Sequence, residues 1–385
     1  METRNDFNAQ PEIPPYLPRQ QMLPPEKLYA RGVRREVSKV VLITGAYLII
    51  QLVASGIIEA AIMFASGAFN DLMRDMTEMA QGGAAMDMDG LTASAQDSAY
   101  EMAGRHMGIV SAGSAAIGLL VFLALRGRRL FTTDITESRA PMSAPLLIKL
   151  WVIAMGAQLV FDVLANLLNA ALGQAGFSAT ELMEQSMQML QTPSGLVYIC
   201  LIGPVIEELA FRGAVMKSLE RFGMNLAIFI SALLFGLMHM FTVQAVFAFF
   251  MGLILGYIAG RYSLKWSILV HIMINSAAMG ISYLSAAGGT DATTGKSALS
   301  GLSFAILILF LVCGVALLIK ERWRFAEQKT VGAPVRVSGS PERIGAALWG
   351  ATFTSVPLII YIVLMLGTGI ITIIGMPWLM DIIAG

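Results

Sequence analysis

Residues 196–216 read LVYICLIGPVIEELAFRGAVM. The stretch is apolar over about the 20 residues that a membrane crossing needs. It nevertheless carries two adjacent carboxylates, Glu207 and Glu208, and a guanidinium, Arg212. Charged groups in hydrocarbon surroundings are costly, face the protein interior and mark function by default. Later apolar runs carry two more polar positions each with a partner one turn away: Phe235 with His239, and His271 with Asn275. Glu208/Arg212, Phe235/His239 and His271/Asn275 are each four apart, so each pair shares one helical face. Three such faces turned towards one another make a polar cavity inside a membrane.

Composition supports that setting. Of 385 residues, 56% are hydrophobic and 14% charged, against about 25% charged in soluble domains. Mean hydropathy is +0.69. The expected fold is an all-α polytopic transmembrane helix bundle of eight to nine spans, with a conical or irregular cavity lined by the motif helices. A net charge of zero argues against a nucleic-acid partner. Cys200 and Cys313 both fall in apolar runs, which disfavours a structural disulfide. The first apolar run begins near Val40, too late for a cleavable signal peptide.

Four regions follow from patterning. Residues 1–36 are rich in proline and read as a disordered cytoplasmic tail. Residues 37–145 hold the first two spans and an acidic outer loop whose Met73, Met76, Met79, Met86 and Met88 suit packing or, less readily, Cu(I). Residues 146–290 form the polar-bearing core, and 291–385 the C-terminal spans. Basic clusters at 31–39, 126–129, 217–221, 261–265 and 320–343 alternate consistently with nine crossings, the N-terminus inside. One crossing is read over 225–241. The last apolar stretch, from Ile344, is long and holds Pro357, so it is expected to be broken or tilted. Span three carries Gln158, Asp162, Asn166 and Asn169 on one face. That stripe reads more readily as interhelical hydrogen-bonding glue than as cavity lining.

The chemistry follows from the residue types. A carboxylate in apolar surroundings beside a second carboxylate can hold and release a proton near neutral pH, as a general base must. Arg212, at i+4, pairs with Glu208. Glu207 points about 100° away around the helix and is the freer of the two. Histidines orient water or donate to a developing oxyanion, and the Asn275 amide is a second donor. Glu207, His239, His271 and Asn275 therefore suffice for hydrolysis of an amide without a covalent intermediate. There is no His-Glu-x-x-His and no Gly-x-Ser-Gly serine site. Zinc on Glu207, His239 and His271 is possible. A metal-bound histidine wants a carboxylate behind it, however, and with Glu208 taken up by Arg212 few remain, so a metal-free site is favoured. Two other classes stay open on the residues alone. One is a non-catalytic membrane scaffold, motivated by the tail and the large loops. The other is a proton-coupled transporter with the buried glutamates as carriers.

Glu-Glu-x-x-x-Arg at 207–212, Phe-x-x-x-His at 235–239 and His-x-x-x-Asn at 271–275 resemble the three motifs of the CAAX protease and bacteriocin-processing family, which includes the type II CAAX prenyl endopeptidases. The resemblance implies a glutamate-type intramembrane endopeptidase, multi-pass in a cell membrane, with the bacterial inner membrane as the expected one. It acts on a membrane-embedded or lipid-modified protein or peptide. It implies that Glu207 and His239 activate water, that His271 and Asn275 form the oxyanion hole, and that Glu208 and Arg212 support them. A role in bacteriocin immunity is the family's alternative. The long acidic loop and the extra C-terminal span depart from the eukaryotic enzymes, and the substrate does not follow from the motifs.

Overall fold

A computed structural model describes residues 25–67, 70, 73–74, 77, 88–174, 176–177, 192–239, 242–286, 298–327 and 341–384. Among them there are helices and turns and no strands. The longer helices are α1 (Pro25–Ala65), α2 (Met88–Leu119), α3 (Ala144–Gly156), α4 (Gln158–Gly173), α5 (Pro193–Phe222), α6 (Met224–Met238), α7 (Thr242–Arg261), α8 (Leu264–Ala286), α9 (Ala298–Glu327), α10 (Pro341–Phe353) and α11 (Val356–Ala384). Among the described residues, seven crossings are long and apolar enough to span a membrane, with α3 and α4 forming one of them; the bent pair α10–α11 makes eight. The chain is thus an all-α, multi-pass bundle.

Two expectations change. Residues 25–36 belong to α1 rather than to a disordered tail. Pro25 sits at the helix start, where its missing N–H costs nothing. One turn apart, Val33 and Val37 are fully buried, and Tyr29 packs edge-on against Phe222 of α5. Residues 1–24 lie outside the described residues, as do Met76, Met79 and Met86 of the methionine-rich loop. The second change concerns 225–241, read from sequence as a full crossing. Here α6 has 15 residues, which is about 22 Å of rise and short of a hydrocarbon core of about 30 Å. His239, which follows its last residue, lies on the same cavity as Glu207, His271 and Asn275.

The core is α5 and α6, with α1, α7, α8 and the C-terminal helices around them. At Gly223 the backbone takes φ +127°, a conformation that favours glycine, and the chain turns directly from α5 into α6. Ser231 of α6 then donates to the Phe211 carbonyl of α5 at 2.8 Å. Next, α7 packs tightly on α6: a Cβ at Gly252 would stand 2.9 Å from Ala232 and 3.3 Å from the Arg212 guanidinium. Small residues at a helix crossing allow that approach.

A polar strap ties the basic ends of these helices together. Arg126 holds Asp134 with two bonds of 2.8 and 2.7 Å. Ser263 donates to the Ile135 carbonyl at 2.8 Å, Lys217 pairs with Glu137 at 2.7 Å and Arg139 with Glu220 at 3.0 Å.

Candidate active site

The helix that carries the two glutamates is not regular. Thr192 caps its start, its hydroxyl accepting from the Gly195 N–H at 3.2 Å. A π-helical turn spans Tyr198–Ile202, a normal turn Gly203–Glu208, and a second π-helical run Leu209–Met216. Such wide turns cluster at functional sites. The Gly203 N–H reaches the Tyr198 carbonyl, five residues back. The next bond in that register would run from residue 204 to the Ile199 carbonyl, and residue 204 is proline, which has no N–H. The freed Ile199 carbonyl accepts instead from Asn275 Nδ2 of α8, at 3.0 Å. Pro204 therefore creates the acceptor that fixes Asn275, and with it the register of α8 against α5.

The two adjacent glutamates face different surroundings. Glu208 is fully buried. One of its oxygens, Oε1, lies 2.8 Å from Arg212 Nη1 and accepts from His271 Nδ1 at 3.1 Å. Its other oxygen, Oε2, is bonded to the Ser267 hydroxyl, which also stands 2.9 Å from the Leu255 carbonyl. A hydroxyl has one proton, so Ser267 serves one acceptor at a time. Arg212 is likewise fully buried. Its contact with Glu208 is an ion pair off the N–H axis, and none of its nitrogens has an aligned hydrogen-bond acceptor among the described residues. The Phe235 ring covers the guanidinium at 4.3 Å, a cation–π contact that partly replaces water.

Glu207 opens the other way, into a cavity of about 400 Å³, with a fifth of its side chain exposed. The same cavity is lined by His239, His271, Asn275 and Phe235. Phe235 is thus the partition: its ring lies 4.9 Å from that of His239 and 5.9 Å from that of His271, with Arg212 against it. His239 Nδ1 is 2.8 Å from the Phe235 carbonyl, and His271 Nδ1 is against the Glu208 carboxylate. Both partners are acceptors, so in each neutral ring Nδ1 carries the proton and Nε2 presents a lone pair. His271 Nε2 lies 3.7 Å from Glu207 Oε2, beyond hydrogen-bond length.

The structure thus gathers Glu207, His239, His271 and Asn275 on one cavity, with Glu208 and Arg212 sealed behind it. Three points differ from the sequence reading. Glu208 is not taken up by Arg212 alone, since it also orients His271. Asn275 Nδ2 spends one hydrogen on Ile199. In the polar stripe of α4, the bonds of Gln158 and Asn166 stay within the helix: Gln158 donates to Asp162 at 2.9 Å, Asn166 donates to the Asp162 backbone carbonyl at 2.7 Å, and Gln158 and Asp162 line the cavity. The sequence reading also missed Ser267, whose one signal is that it lies one turn before His271 on the same face.

Two nitrogen lone pairs and a carboxylate are donors of the kind zinc takes. Their spacing is not: among the described residues, no group of three His, Cys, Asp or Glu side chains stands close enough to hold a metal ion.

Searches of curated proteins and of solved structures give no match. Residues 190–277 match the family model described as type II CAAX prenyl endopeptidase Rce1-like. The match covers less than half of the chain, but it contains all three motifs, helices α5 to α7 and the first part of α8, which carry most of the cavity wall. Over that segment the chain is similar to the type II CAAX prenyl endopeptidases.

Proposed function

We propose that the chain cleaves a peptide bond of a membrane-embedded or lipid-modified substrate with a water activated by Glu207. The observation that supports this most is the division between the two glutamates. Glu208 is held by Arg212, Ser267 and His271, whereas Glu207 faces the cavity with no hydrogen bond of its own among the described residues.

In this reading the water sits between the Glu207 carboxylate and the His239 Nε2 lone pair. Glu207 takes its proton as the oxygen attacks the peptide carbon. The carbonyl oxygen becomes an oxyanion, which the second hydrogen of Asn275 Nδ2 stabilises. His271 adds a donor at Nε2 when protonated, and the Glu208 carboxylate at its Nδ1 supports that imidazolium, as in Asp–His pairs. The proton held by Glu207 passes to the leaving nitrogen as the C–N bond breaks. The products are a carboxylic acid and an amine, and no step uses a metal.

Glu207→Gln tests the reading in purified, reconstituted protein. General acid–base groups contribute about 10²- to 10⁴-fold, so cleavage of a membrane-inserted peptide is expected to fall at least about 100-fold with unchanged melting behaviour. Retention of more than about a tenth of the activity removes Glu207 as the base. Cleavage is expected to survive chelators. Loss to a chelator with recovery on added zinc, together with stoichiometric zinc by elemental analysis, replaces this mechanism with one in which Glu207, His239 and His271 are ligands.

A further inference from the structure

Asp162 of α4 lines the cavity but belongs to none of the three motifs. One of its oxygens accepts a single neutral hydrogen bond, from Gln158 Nε2 at 2.9 Å. No cation or other donor contacts the carboxylate among the described residues. In an apolar span, one amide is a poor replacement for the water that a carboxylate loses, and such groups find an opposite charge or a water-filled space.

Among the described residues, no such cation is built into the wall. The described residues lining the cavity include Asp162, Glu207, His239 and His271 and no lysine or arginine. Arg212 is fully buried and lies behind Phe235, locked to Glu208. The cavity therefore has two carboxylates and two imidazole lone pairs facing inwards, with the neutral Gln158, Gln244 and Asn275 amides among them. That field favours a positive group and opposes a negative one.

Resting on the protease reading above, we infer that Asp162, with Gln158, is a specificity subsite for a lysine or arginine side chain of the bound peptide. The cavity takes an internal peptide segment bearing that side chain. A chain end with a free carboxylate would bring a third negative charge into a wall with no cation among its described residues.

The test uses the full chain in nanodiscs. The probes are fluorescent apolar peptides, amidated at the C-terminus, that carry lysine, leucine or glutamate at each of several consecutive central positions. A leucine peptide ending in a free carboxylate completes the set. Binding is measured on the Glu207→Gln protein, so that it does not depend on cleavage. At one or two positions lysine is expected to bind about tenfold or more tighter than leucine, the effect of one well-placed charge pair. Glutamate and the free carboxylate are expected to bind weakest. Adding Asp162→Asn should erase the lysine preference while leucine binding and the melting temperature stay unchanged. Equal binding of lysine and leucine at every position, a lysine preference that survives Asp162→Asn, or no binding of any probe overturns the subsite. If the wild-type protein binds lysine peptides selectively and cleaves none, the subsite stands and the protease reading falls. If it cleaves lysine, leucine and free-carboxylate peptides equally, the reverse holds.

Discussion

Glu207 and Glu208 are the same residue one position apart, yet they live in different media. Glu208 has no exposed surface and is bonded on every side. Glu207 looks into a cavity. The 100° step of a helix separates the two side chains, and the Phe235 ring closes the boundary between a sealed ionic layer and the open space beyond it. The difference teaches that the ionic layer is architecture with one chemical consequence. By holding the His271 proton on Nδ1, it turns the Nε2 lone pair towards the cavity.

Breaking the sealed side should cost the most stability. Arg212→Ala leaves Glu208 charged in a space closed to solvent, and removing one partner of a buried pair costs about 3–5 kcal/mol. The variant should melt far below wild type in detergent and lose activity with it. The double change Glu208→Leu/Arg212→Met removes both charges and should melt closer to wild type than Arg212→Ala alone, while staying inactive. An Arg212→Ala protein with wild-type melting would show that this layer holds nothing together.

Ser267→Ala sharpens the comparison, because it touches the sealed carboxylate without removing a charge. A hydrogen bond to a charged group is worth about 1.5–3 kcal/mol, so a smaller but measurable loss of stability is expected. Since Glu208 orients His271, the pH profile of cleavage should also move. Lost stability with an unmoved pH profile would confine Ser267 to a structural role.

The smallest effect belongs to the strap outside the membrane, where charges meet solvent. Lys217 beside Glu137 holds that carboxyl below its ordinary range. The folded state thus favours the charged form. Its contribution is present above the ordinary carboxylate pKa and is lost as pH falls through the lowered value. Glu137 is half exposed, and such pairs are worth at most about 1 kcal/mol. Glu137→Gln should lower the melting temperature slightly at neutral pH and not at all well below about pH 4. An equal loss at both pH values would show that the side chain acts through packing and not through charge.

Much of this molecule is legible in the residues. The membrane setting follows from the length and apolarity of the runs. The pairing of Glu208 with Arg212 and the divergence of Glu207 follow from helical period. The break ahead of the glutamates follows from Gly203-Pro204. These are local properties, set by backbone hydrogen bonding within one turn or two. Tertiary structure alone decided the rest. Residues 225–241 are apolar enough for a crossing, but α6 ends at Met238 and returns as α7. The period of α4 placed Gln158, Asp162 and Asn166 on one face; it could not say whether that face met another helix or a cavity. Asn275 is committed to Ile199 because Pro204, 71 positions earlier, withholds a hydrogen. Which nitrogen of His271 carries the proton depends on Glu208, from a different helix. Helix length, partner and protonation state are set by contacts between segments distant in sequence, and the spacing of residues along one segment does not encode them.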